Sequence, residues 1–213
     1  MAAAIHIEID VLFLLLLLVI ARQINDNVNK QTIRLLFRNV TFGIIAALFL
    51  DTVWMLIDGR IFPGGIILNK AVNGVFLGLG VVLGGLWYLY VLTAMGYNLS
   101  RLMTNLIMLP GYFFMLLNIL SIWTGWVFTI NDQNVYIRGS WFPLQEAGAL
   151  VMLFVSLIHL IVMYFSPRGK PYRPVILKLV KFYIIPVAGT VLSMPYSGMP
   201  GTWVCAAVSV VLI

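Results

Sequence analysis

An aspartate inside an apolar run has the most chemistry to offer in this chain. Asp51 stands in Leu-Phe-Leu-Asp-Thr-Val-Trp-Met-Leu-Ile-Asp58, and a carboxylate placed in hydrocarbon costs roughly 2 to 3 kcal/mol or more to insert. It needs a partner or a proton. Asp51, Trp54 and Asp58 are spaced i, i+3, i+7, so one helix face presents two carboxyls and an indole. Two roles fit that face: a protonated Asp51 bonded to a neighbouring helix, or a group that binds a ligand or passes a proton.

Other polar residues offer less. His159 is the one ionisable residue deep in its apolar segment, and a satisfied core histidine is the simpler account than a proton relay. Gln145 and Glu146 stand at the start of the same segment, where an acid also suits a helix N-terminus. His6-Ile-Glu8-Ile-Asp10 carries metal-capable side chains at alternate positions. Neighbours in that trio point nearly 200° apart on a helix, so the trio reads as a solvated terminus, and no metal-ligand set is expected. A single cysteine, Cys205, excludes an intrachain disulfide and a cysteine cluster. No Gly-x-Ser-x-Gly, His-Glu-x-x-His or phosphate loop is present, and no late-helix lysine could hold retinal. The chain is not expected to be an enzyme, and no catalytic residue or cofactor is assigned.

The elements that must position these residues are membrane spans. Of 213 residues, 62% are hydrophobic and 9% charged, against about 25% charged in an ordinary soluble domain. At roughly 30 residues per pass and connection there is room for seven passes and no sizeable soluble domain. Seven apolar segments follow, Ile5–Ala21, Val40–Ile57, Ala71–Met95, Leu102–Trp123, Leu144–Phe165, Val175–Met194 and Thr202–Ile213. The expected fold is therefore an all-α integral membrane protein, a single seven-helix bundle over residues 1–213. The acidic flank of the first segment is unlike a signal peptide, so that segment is expected to stay. The seventh, opened by Pro200-Gly201, spans only about 18 Å, which reads as a helix cut short within a longer protein.

Charge sets the orientation. Ten of the thirteen Lys and Arg fall in alternate connections: Arg22, Lys30, Arg34, Arg38, then Arg101, then Arg168, Lys170, Arg173, Lys178 and Lys181. The other side holds Arg60, Lys70 and Arg138. The majority belongs in the cytoplasm, which puts the N-terminus outside and the C-terminus inside. The net charge of +6 thus reports topology, and no nucleic-acid partner is expected.

Between segments four and five, two β-prone runs flank the polar turn Asn131 to Asn134, which predicts a short extracellular β-hairpin. Aromatics crowd that side: Trp54, Trp123, Trp126, Tyr136, Trp141, Tyr196 and Trp203. They fit either an interfacial belt or an aromatic cavity. Gly74-xxx-Gly78 and Gly80-xxx-Gly84 permit close helix approach, inside one chain or across a homodimer. The candidate ligand site joins Asp51, Trp54 and Asp58 to Tyr136 and Arg138 of the hairpin and to Gln145 and Glu146. Arg138 there either balances a carboxylate or fixes an anionic ligand group.

Leu35-Leu-Phe-Arg-Asn39 leading to Leu50-Asp-x-x-Trp54-x-x-x-Asp58-Gly59, and Trp123-Thr-Gly-Trp126 followed by Asn131-Asp-Gln-Asn-Val-Tyr-Ile-Arg-Gly139, resemble the seven-transmembrane N-terminal sensory region of bacterial membrane-bound diguanylate cyclases of the GGDEF class. The resemblance runs from the first helix into the seventh. It implies a bacterial inner-membrane receptor domain whose small-molecule or lipid ligand regulates a following cytoplasmic domain that makes cyclic di-GMP. A histidine kinase is the other output considered. A small secondary transporter is the alternative function, for which intramembrane Asp51 and the helix-breaking Pro110-Gly111 and Pro186 speak.

Overall fold

A computed structural model of the protein describes residues 2–23, 31–193 and 202–211. Among the described residues the regular elements are helices and one hairpin: α1 (Ala2–Gln23), α2 (Gln31–Ile57), α3 (Gly65–Ala94), α4 (Arg101–Thr124), β1 (Phe128–Ile130), β2 (Tyr136–Arg138), α5 (Phe142–Phe165), a 3-10 helix (Pro167–Tyr172), α6 (Arg173–Ser193) and α7 (Thr202–Val211). Helices α1 to α5 are long and apolar enough to cross a membrane. Lys30, Tyr196 and the Pro200-Gly201 turn lie outside the described residues.

Two helices begin earlier than their apolar runs. α2 starts at Gln31 and α3 at Gly65, because hydropathy marks what enters hydrocarbon, whereas the helix continues through good formers such as Arg34, Arg38 and Lys70. Local signals set the α4 ends. The Ser100 hydroxyl accepts from Met103 N–H at its start, and Gly125, at φ 70°, ends it in the left-handed conformation. α4 runs unbroken through Pro110 and α6 through Pro186. The broken helices expected of a transporter are absent from both.

Helices α2, α3, α5, α6 and α7 close into a ring, each packed on its neighbours, with α1 in the outer cleft between α2 and α7 and α4 laid along α3. α3 is the most buried of the five long helices. Glycine lets it sit so deep. A Cβ on Gly78 would stand 2.7 Å from Met115 Sδ and 3.0 Å from its Cα, and one on Gly84 would stand 3.0 Å from Met152 Cβ. The small-residue stripes are thus used inside the chain, toward α4 and α5. Facing outward, Leu102, Leu106, Leu109, Phe113, Leu116 and Leu120 form one exposed apolar stripe along α4, spaced as a surface against lipid must be.

The β-hairpin between α4 and α5 is present. Phe128 pairs with Arg138 and Ile130 with Tyr136, antiparallel, and Asn131 Oδ1 closes the turn by accepting from Gln133 and Val135 N–H. The hairpin lies over the α2–α3 connection, and His6 near the start of α1 meets Asp51 near the end of α2. These connections share one end, the hairpin end. Arg22, Arg34, Arg38, Arg101 and Arg168 fall at the other, the basic end.

Candidate functional site

The hairpin is bolted down by two buried asparagines and one carboxylate. Asn134 adopts φ 60° and its Nδ2 donates to the carbonyls of Ile57 and Arg60, both 2.8 Å away, which caps the end of α2. Asn69 Nδ2, from the second turn of α3, donates to Asn134 O at 3.0 Å and to Asp58 Oδ1 at 3.1 Å. Asp58 Oδ1 also accepts from Tyr136 N–H at 2.8 Å. One carboxylate therefore holds α2, α3 and β2 together.

Above it lie the aromatics. Trp54 meets Tyr136 edge-on at 5.7 Å between centroids and stacks on Phe76 at 6.4 Å, and Phe76 meets Trp203 at 6.1 Å. A continuous aromatic chain thus runs from β2 through α2 and α3 to α7. Burial raises the Tyr136 phenol well above its ordinary pKa, with Arg138 opposing and Glu146 and Asp58 reinforcing the shift, so Tyr136 stays neutral.

Five of the seven expected site residues, Trp54, Asp58, Tyr136, Arg138 and Glu146, come together around this hairpin. Arg138 is exposed and stands 4.5 Å over the Phe142 ring, and among the described residues it forms no ion pair. Glu146 is exposed. Gln145 is turned away: its Oε1 accepts from Asn118 Nδ2 and its Nε2 donates to Leu77 O, both at 2.7 Å, which ties α5 to α4 and α3. His159 lies toward the basic end, its ring nitrogens bonded to the Tyr88 and Tyr97 hydroxyls at 3.0 and 3.1 Å.

Asp51 faces α1. His6 Nε2 is 3.3 Å from Asp51 Oδ2 and 3.3 Å from Asp10 Oδ2, and all three side chains are at most 8% exposed. Beyond the His6 ring, neither Asp10 oxygen has a hydrogen-bond donor. The alternating trio of the N-terminus is thus split by the helix: Glu8 points outward, while His6 and Asp10, four apart, share the inner face and take their third member from α2. Sequence spacing alone did not reach this cluster, because its third member is 41 residues further on.

Deeper still, the ring of helices frames a partly open cavity of about 150 Å³. Val40 and Ile44 of α2, Leu83 and Trp87 of α3, Leu153 of α5, Phe182 of α6 and Trp203 and Ala206 of α7 line it. Among the described residues on its wall, the one buried hydroxyl, that of Tyr183, is already used: Trp87 Nε1 donates to it at 2.6 Å and Ser156 Oγ is in hydrogen-bond contact. Among the described residues, an occupant meets apolar and aromatic surface without a free polar anchor. Trp87 stacks on Phe182 at 3.6 Å, and Gly80 lies against the Trp203 ring. A space of this size holds a molecule about as large as benzene, or a short stretch of acyl chain. Comparison with protein-family models, with curated proteins and with solved structures finds no match for this chain.

Proposed function

We propose that the chain is a seven-pass sensory domain in which a small apolar or lipid-borne ligand occupies the central cavity and alters the setting of α7. The observation that carries this reading is the cavity wall: α7 supplies Trp203 and Ala206, so any occupant touches the helix that leads toward the C-terminus. The aromatic chain from Trp203 through Phe76 and Trp54 to Tyr136 couples the same space to the hairpin. Occupancy then selects among packings of α7 against α1, α2 and α6. A cytoplasmic output domain, a diguanylate cyclase by resemblance, would receive that change.

The test is photolabelling of the full chain in vesicles with a fatty acid carrying a mid-chain diazirine. Adducts on the peptides holding Trp203 and Leu153, suppressed when Ala206→Phe fills the cavity, are expected. Labelling confined to the outer stripe of α4 would sink the proposal. So would saturable accumulation of the fatty acid inside vesicles, which is transport.

The reading also places α1's start and the hairpin outside the cell, on the strength of the basic residues gathered at the opposite end. In a Cys205→Ser background, a cysteine replacing the exposed Gln133 is expected to react with an impermeant maleimide added to intact cells. Reaction only after the membrane is opened would invert the arrangement.

A further inference from the structure

We propose that His6, Asp10 and Asp51 form a binding site for a divalent transition-metal ion, Zn²⁺ by its ligand set, bridging α1 and α2. Each residue offers one donor atom, and the three donors lie within 4.8 Å of one another. Tetrahedral zinc with bonds of about 2.0 to 2.1 Å places its ligand atoms roughly 3.3 Å apart. The His6 Nε2 separations from Asp10 Oδ2 and from Asp51 Oδ2 are both 3.3 Å.

The surroundings ask for a cation. Asp10 is fully buried, its Oδ2 meets the His6 imidazole at 3.3 Å, and beyond that ring neither of its oxygens has a hydrogen-bond donor. No Lys or Arg among the described residues pairs with Asp10 or Asp51. Two carboxylates in apolar surroundings, with one imidazole between them, leave negative charge that a divalent ion neutralises. Donor chemistry narrows the choice. An imidazole with two carboxylate oxygens suits Zn²⁺ and its neighbours in the first transition row, whereas Ca²⁺ takes six to eight oxygens and Mg²⁺ an octahedral, largely aquated shell. Three protein ligands leave the fourth position of a tetrahedron to water or an incoming donor, the arrangement of an exchangeable site and not of a closed structural one. The site is distinct from the central cavity: none of its residues lines that space.

Helix geometry supplies the preorganisation. His6 and Asp10 stand one turn apart on α1, and Asp51 stands in the last two turns of α2, which packs against it. An ion held there fastens α1 to the ring through α2.

The experiment uses the tag-free full chain in detergent, stripped with EDTA and titrated with Zn²⁺ against a chromogenic chelator. One equivalent is expected to bind. Asp51→Asn and Asp10→Asn are each expected to weaken binding by about 100-fold or more, since even outer-shell partners of a metal contribute 10- to 100-fold. Glu8→Gln, on the exposed face of α1, is expected to bind as the parent does. Co²⁺ in the unaltered chain, which needs no variant to fold, is expected to give the intense visible bands of tetrahedral coordination. Three results would overturn the site: no Zn²⁺ bound with a melting temperature indifferent to Zn²⁺ and EDTA, undiminished binding in folded Asp51→Asn, or a weak octahedral Co²⁺ spectrum. The first would leave shared protons holding the three side chains together.

Discussion

Trp87→Ala is expected to cost about 3 to 5 kcal/mol of stability, the range for emptying a large buried aromatic site. Trp87 is 2% exposed and lies flat on Phe182 at 3.6 Å, edge-on to Tyr183 and beside Tyr90. Inside a bilayer, close packing and dispersion carry this energy, because lipid tails are as apolar as the side chains they replace. Truncation also strands the Tyr183 hydroxyl without its Trp87 donor and merges the vacated volume with the cavity. Thermal melting in detergent reads the loss. Trp87→Phe, which keeps a ring against Phe182 and removes only the donor, is expected to lose about 1 kcal/mol. Benzene or indole added to Trp87→Ala is expected to restore part of the loss, while leaving the parent unchanged. A Trp87→Ala variant that melts with the parent would show that the ring of helices does not depend on its aromatic wall.

Asp58→Ala is expected to release the hairpin while leaving the helices in place. Its Oδ1 serves two donors from two elements, Asn69 Nδ2 and Tyr136 N–H; without it Tyr136 N–H loses its acceptor and Asn69 Nδ2 keeps only Asn134. Hydrogen bonds to a carboxylate contribute roughly 1.5 to 3 kcal/mol each, so about 3 kcal/mol of local stability, on the order of 100-fold in the open fraction, is at stake. Arg138 provides the readout. It is exposed at the end of β2, and tryptic cleavage after it requires the hairpin to open. Cleavage there is expected to accelerate on the order of 100-fold in Asp58→Ala and less in Asp58→Asn, which retains an acceptor oxygen. Glu146→Gln, exposed and outside the network, is expected to cleave at the parent rate. Equal rates in all four proteins would remove Asp58 from the role of clamp.

What could be read beforehand follows the range of each signal. Hydropathy is a local sum, and it marked the five long spans. The turn Asn131 to Asn134 between β-prone runs is also local, and the hairpin formed there. Asp58, Trp54 and Tyr136 were legible as residues on one side, and the structure packs them together. Their partners were not legible. Asn69 with Asn134, Asn118 with Gln145 and Asn134 with Ile57 bond between elements 65, 27 and 77 residues apart in sequence, and nothing in local periodicity says which elements adjoin. Intramembrane asparagines were the available signal, since each must find a partner in hydrocarbon. Arg138 has the charge to meet a carboxylate, yet the ring of Phe142 lies nearer its strand. The central cavity depends on where α7 enters the ring, which no single segment encodes.

The placement of His6 and Asp10 bears on how the protein is made. Asp10 lies about 12 Å along α1 from Ala2, so α1 leaves the ribosome carrying an acid whose neighbour in the finished fold, Asp51, has yet to be synthesised. His6 and Asp51 are 45 residues apart in the chain. Until α2 emerges, α1 has no counterpart for that polar face and is costly to release singly into lipid. α1 and α2 are therefore best inserted as a pair, with α1 retained at the translocon until α2 has been threaded beside it.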